Sequence, residues 1–150
     1  MSRAETAKKY FEQGYACSQA VALAFADVAG VNEETIAKIM LPFGGGFGRL
    51  RLTCGAVSGM VAVLGATCAG AENTPENKTG TYAMTQELCK KFQEENGSLI
   101  CAELLEGVNV TVGGAPEART AEYYKKRPCA EIVYSAAAIL EKYLQDKGVL

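Results

Sequence analysis

Residues 54–71 read CGAVSGMVAVLGATCAGA, 18 positions without a charge. A run of that length touches the minimum for a membrane-spanning helix, but Ala and Gly dominate it. Small, weakly apolar residues on every side suit the central helix of a bundle, covered all round by its neighbours, better than a lipid-facing span. Thr53 is placed to cap this helix, which is expected from Cys54 to about Ala69. The flanking sequence follows the same helical pattern. Ala occurs 23 times, the β-branched residues do not alternate with polar ones, and capping signals recur along the chain. The expected fold is all-α: a compact bundle of about six to eight helices around the buried Gly/Ala-rich one, forming a single domain over residues 1–150.

Working outward, Ser2 and Glu5 form a capping box that opens a short helix ended by Gly14. A second helix is expected from Cys17 and Ser18 to about Ala29, with Val21, Phe25 and Val28 on one face and Gly30 as its stop. Asn32 caps a third, from Glu33 to about Leu41, halted by Pro42. Between Gly44 and Gly48, four of five residues are Gly, which rules out helix and strand alike and predicts a loop. It resembles a phosphate cradle only loosely, since no GK[ST] follows, and reads better as a hinge or flap. Thr74 and Pro75 start a long helix to Asn96, ended by Gly97, with Met84, Thr85, Leu88 and Phe92 on its inner stripe. Ser98 caps a short helix through Leu105, Gly107–Thr120 is a loop, and Pro128 starts the last helix, stopped by Gly148. Glu131, Ser135, Lys142 and Gln145 mark the wet side of that helix.

Composition removes whole classes of function. Lys plus Arg number 15 against 17 Asp plus Glu, a net charge of −2, which offers no surplus of cations for nucleic acid. The chain contains no His. That excludes Ser-His-Asp and Cys-His nucleophiles, HExxH zinc sites and the commonest general base near neutral pH. Chemistry is left to Cys, carboxylates, Tyr and Lys. Met1–Tyr10 offers no apolar signal core, so the expected location is the cytoplasm, where the six Cys would stay reduced.

The six divide by their place on the helices. Cys17, Cys54, Cys101 and Cys129 all fall in a first turn, where unpaired N–H groups and the helix dipole favour the thiolate. Arg49 and Arg51 before Cys54, and Lys125, Lys126 and Arg127 before Cys129, would push the same way. Cys68 lies near a helix C-terminus and Cys89 mid-helix beside Leu88 and Phe92, so these two are expected to pack as small hydrophobes. Gly55 and Gly59, one turn apart, allow another backbone to approach. Without a bound metal or cluster, at least one pair should lie close enough to form a disulfide, Cys54 with Cys17 or Cys129 being the preferred pair. Gathering four helix N-termini at one place requires negative charge between them, from thiolates or a thiolate-bound cluster, so the four sulfurs should converge at one end of the bundle.

These residues also carry a resemblance. Gly14–Val21, Phe43–Arg49, Cys54–Gly59, Gly97–Leu105 and Arg127-Pro128-Cys129 resemble the ordered motifs of the redox-active proteins named the C-GCAxxG-C-C family after their cysteine pattern. Here the third of these stretches begins Cys54-Gly55-Ala56, where the label writes Gly-Cys-Ala. The resemblance implies that the family's cysteines are Cys17, Cys54, Cys101 and Cys129, that the role is redox, and that a membrane transporter acts nearby.

Three functions are therefore in play. Four Cys without His suit a Cys₄ site, for an iron–sulfur cluster first and zinc second, making the same four residues metal and cofactor ligands. Thiol–disulfide exchange needs only two of them as catalytic groups, in an oxidoreductase or electron carrier whose partner is a redox protein or a small thiol or disulfide. The third is a helical binding module associated with a transporter, its cysteines purely structural. None involves nucleic acid or membrane insertion.

Overall fold

The computed structural model describes residues 1–150. Nine right-handed α-helices make up the fold: α1 (Arg3–Glu12), α2 (Cys17–Leu23), α3 (Ala26–Ala29), α4 (Glu33–Met40), α5 (Gly55–Cys68), α6 (Pro75–Asn96), α7 (Cys101–Leu104), α8 (Ala121–Lys126) and α9 (Cys129–Asp146). There is no strand; a lone antiparallel bridge joins Thr53 to Ile100. The all-α expectation holds, and the local signals explain most of the boundaries. Ser2 and Glu5 close their capping box, the Asn32 side chain accepts from the Thr35 N–H, and the Thr74 hydroxyl from that of Asn77. Gly30 and Gly97 end their helices in the left-handed conformation that Gly takes without a Cβ clash.

Helix α5 packs against α2, α6 and α9, while α1 lies across α2 and α9. Every residue from Gly55 to Met60 is buried, so the first half of α5 is the centre of the bundle; toward its end Ala62 and Ala66 reach solvent. Its close neighbour is α2. A Cβ on Gly59 would stand 2.6 Å from the Ser18 carbonyl oxygen and 3.1 Å from Val21 Cβ, a contact only Gly permits. Phe25, Met60, Leu64, Leu88, Phe92, Leu140 and Leu144 fill the core. No helix is long and apolar enough to cross a membrane.

Two helices exceed the seven that caps alone mark out. The helix expected over Cys17–Ala29 breaks at Phe25, whose φ of −122° leaves the helical region. The break frees the Ala24 carbonyl, which Arg3 Nη1 takes at 2.8 Å while its guanidinium lies over the Phe25 ring. A tertiary contact with α1 thus overrides local propensity. The other is α8, capped by the Thr120 hydroxyl, which accepts from the Tyr123 N–H. Ser98 does not cap α7: its hydroxyl accepts from the Ile100 N–H and donates to Glu103. Ser135, expected on the wet side of α9, is buried and accepts from Asn96 Nδ2 at 2.9 Å.

Candidate functional site

Three features of the backbone bring the cysteines together. Residues 51–54 and 99–102 run antiparallel, with the Cys54 N–H donating to Leu99 O (2.8 Å), the Cys101 N–H to Leu52 O (2.6 Å) and the Ala102 N–H to Arg51 O (3.2 Å). This pairing ties the starts of α5 and α7 to each other. The Gly55 contact ties α2 to both, because a Cβ there would sit 2.4 Å from Cys17 Sγ. The Gly-rich loop supplies the third. Gly45, Gly46, Phe47, Gly48 and Arg49 all have φ between 55° and 70°, a left-handed turn, and Arg51 follows at 61°. Each non-Gly residue in that region costs about 1–2 kcal/mol. The turn is pinned by the Arg51 N–H to Gly45 O and the Leu52 N–H to Gly46 O, and a Cβ on Gly46 would press on Cys101 Cβ at 2.8 Å. The loop predicted from its glycines is thus a fixed wall of the site.

Cys17, Cys54, Cys101 and Cys129 all line one cavity of about 290 Å³. Cys17, Cys101 and Cys129 are the first residues of α2, α7 and α9, and Cys54, not Thr53, is the N-cap of α5, which starts one residue later than expected. All six cysteines are free. Cys68 and Cys89 are half-buried against the core and do not reach the cavity.

Their electrostatics reverse the expectation drawn from helix starts. Burial pushes the Cys17 thiol up, and the N–H groups of Gly45 and Ser18, with Arg119, oppose it only in part. Cys54 is raised by burial and then by the neighbouring Cys17; the N–H groups of Val57 and Ala56 pull the other way without closing a capping hydrogen bond. Cys129 is pushed up to about 12 by burial and then by Cys17, against Arg127 and Arg119. Removing a thiolate from water outweighs a partial dipole charge. These three sulfurs are neutral thiols at neutral pH.

Arg49, Arg51, Arg119 and Arg127 line the same cavity, with Glu117 as its only carboxylate. Arg51 is 6% exposed; its Nε donates to Thr111 O at 3.0 Å and its Nη1 lies 3.7 Å from Cys101 Sγ. Arg127 pairs with Glu117 at 2.5 Å, and Arg49 reaches the same carboxylate at 3.7 Å and also donates to Ala115 O and Thr111 Oγ1. Arg119 donates to the carbonyls of Phe11 and Tyr15 and stacks on Phe11 and Tyr123. Lys125 and Lys126, expected to act on Cys129, are exposed on α8, and Lys126 pairs with Glu122.

Sequence reasoning did not find Arg119, Glu117 or Tyr123. Arg119 and Glu117 come from the loop over 107–120, which periodicity marks only as irregular, and Tyr123 from the unpredicted α8. No three Cys, Asp or Glu side chains come close enough together to hold one metal ion. As placed, the four thiols do not form a Cys₄ cage.

The fold and site thus define a class: an all-helical protein with four helix-start thiols around one guanidinium-lined cavity. The family model C_GCAxxG_C_C, described as "Putative redox-active protein", matches residues 15–143, and the chain belongs to that family. No curated protein and no solved structure matches the chain at a significant level.

Proposed function

We propose that the protein is a two-electron thiol–disulfide redox protein whose working thiols are drawn from Cys17, Cys54, Cys101 and Cys129. The observation that carries this is their common cavity, to which each comes from a different helix and from which Cys68 and Cys89 are absent. Cys17 is the shared member of the couple: its Sγ packs against Gly55, the residue after Cys54, where a Cβ would stand 2.4 Å from it, and it shares the cavity with Cys101 and Cys129. In the reaction one thiolate attacks a substrate disulfide, and one half leaves as a thiol after taking up a proton. Cys17 then attacks the resulting mixed disulfide, releasing the second thiol and leaving a protein disulfide. Two electrons pass from the dithiol to the substrate. Oxidoreductase and electron carrier share this step. Six free thiols suit a reducing compartment such as the cytoplasm.

The test is thiol counting on the reduced and oxidised protein. Wild type, Cys68→Ala and Cys89→Ala should each lose two thiols on oxidation, and Cys17→Ser should lose none from the cavity set. Stoichiometric iron with sulfide, or zinc, in protein purified without oxygen would instead favour the Cys₄ reading. Loss of thiols from Cys68 and Cys89 alone would leave the cavity cysteines structural, as in a binding module.

A further inference from the structure

The cavity holds more positive charge than the protein neutralises. Four guanidiniums line it against one carboxylate, Glu117, itself 43% exposed. Arg127 and Arg49 share that carboxylate, while Arg51 and Arg119 contact only carbonyls, a hydroxyl, a sulfur and aromatic rings. Arg49 Nε is buried with no hydrogen-bond partner at all. Burial pushes the Cys17, Cys54 and Cys129 thiols up, so these three do not supply the missing charge. A buried guanidinium without a counter-ion is costly, and several facing one space are costlier still. The remaining wall is apolar, formed by Phe11, Leu41, Leu104, Leu105 and Ile132. At about 290 Å³ the space lies at the lower end of small-molecule sites, and Cys54 and Cys101 are too deeply buried to meet a cysteine on another protein's surface.

We infer that the cavity takes a small anionic disulfide, one with carboxylates on an apolar body, and that Arg51 and Arg119 hold its charged ends. This rests on the thiol–disulfide reading and gives it a substrate class. Arg51 bridges the two roles, because the guanidinium that meets the anion also touches Cys101 Sγ, so a disulfide held by its charged end lies beside a cavity thiol. The overall exchange is balanced: two protein thiols and one disulfide become one protein disulfide and two small thiols.

Three disulfides of equal chemistry and different charge test it: dianionic 3,3′-dithiodipropionate, neutral 2-hydroxyethyl disulfide and dicationic cystamine, each rate divided by that with a free small thiol. The dianion should oxidise the protein fastest and cystamine slowest, with the gap narrowing as salt is raised. Arg51→Gln should slow the dianion about tenfold to a hundredfold more than it slows the neutral disulfide, the worth of a charge-assisted hydrogen bond. Arg51→Lys should recover part of the loss. Suberate, which replaces the S–S bond by two methylenes, measures binding alone by calorimetry. If it binds wild type and not Arg51→Gln while no disulfide oxidises the protein, the anion site stands and the redox reading falls. Equal normalised rates for all three disulfides with no suberate binding would overturn the anion site and leave the redox reading intact.

Discussion

Arg3 and Arg119 each lie over an aromatic ring and each donate to backbone carbonyls, but they belong to opposite electrostatic regions. Arg3 meets Asp27 through two nitrogens, at 2.7 and 3.0 Å, and Glu141 at 3.9 Å, besides the Ala24 carbonyl and the Phe25 ring. Asp27 is held down to about 2 by that hydrogen bond. Arg119 has the rings and carbonyls of the arrangement without the carboxylates. A structural arginine brings its counter-ion with it from elsewhere in the chain, whereas the cavity leaves positive charge open beside protonated thiols. One region is complete; the other is built to receive something.

The contrast can be broken most forcefully through the core. Leu64, fully buried in α5, should cost about 2–5 kcal/mol when cut to Ala, read as a lower melting temperature, with the rate of cavity thiol oxidation unchanged. If that rate shifts in step with the melt, the two regions are not separable. Next in size is Gly59→Leu, which forces a side chain into the Ser18 carbonyl and should cost about 1–3 kcal/mol. Because the same contact seats α2 on α5, disulfide formation by Cys17 should slow as well. Gly65 is the matched control on the same helix: a Cβ there meets nothing within 4 Å, so Gly65→Ala should raise stability by about 0.5–1 kcal/mol.

Two smaller effects separate the regions by pH. A thiol raised by burial favours the folded state while protonated, so its contribution is whole below the ordinary thiol value of 9.0 and is lost as pH climbs toward about 12. Stability should therefore fall in alkali, and Cys129→Ala should flatten that fall, measured by urea unfolding across the range. The opposite sign holds at Arg3. Asp27 is depressed from 3.8 to about 2, so its contribution is complete above about pH 4 and disappears as pH drops toward 2. Arg3→Gln should flatten the acid limb slightly, since Asp27 is largely exposed and its pair is screened. Acid curves that coincide for wild type and Arg3→Gln would show that the pair contributes nothing.

Much of this was legible in sequence because it depends on near neighbours. The caps at Ser2, Asn32 and Thr74 act within three residues, the left-handed stop at Gly97 is a property of one, and the uncharged run over 54–71 marks the helix whose first half the others bury. The sorting of cysteines by helix position likewise used local spacing, and it selected the four that line the cavity.

What those thiols are chemically was decided by tertiary structure alone. A helix start lowers a thiol through a partial charge nearby, whereas burial depends on every surface that closes over it, and here α2, the glycine turn and the loop over 107–120 close together. The same holds for Arg119 and Glu117, which reach the cavity from a segment with no periodicity to mark it, and for the break at Phe25, where the Ala24 carbonyl, freed at the end of α2, finds Arg3 on α1. Local hydrogen bonding is written in short stretches of sequence. Desolvation and charge balance are sums over the whole fold, and they exist only once it has closed.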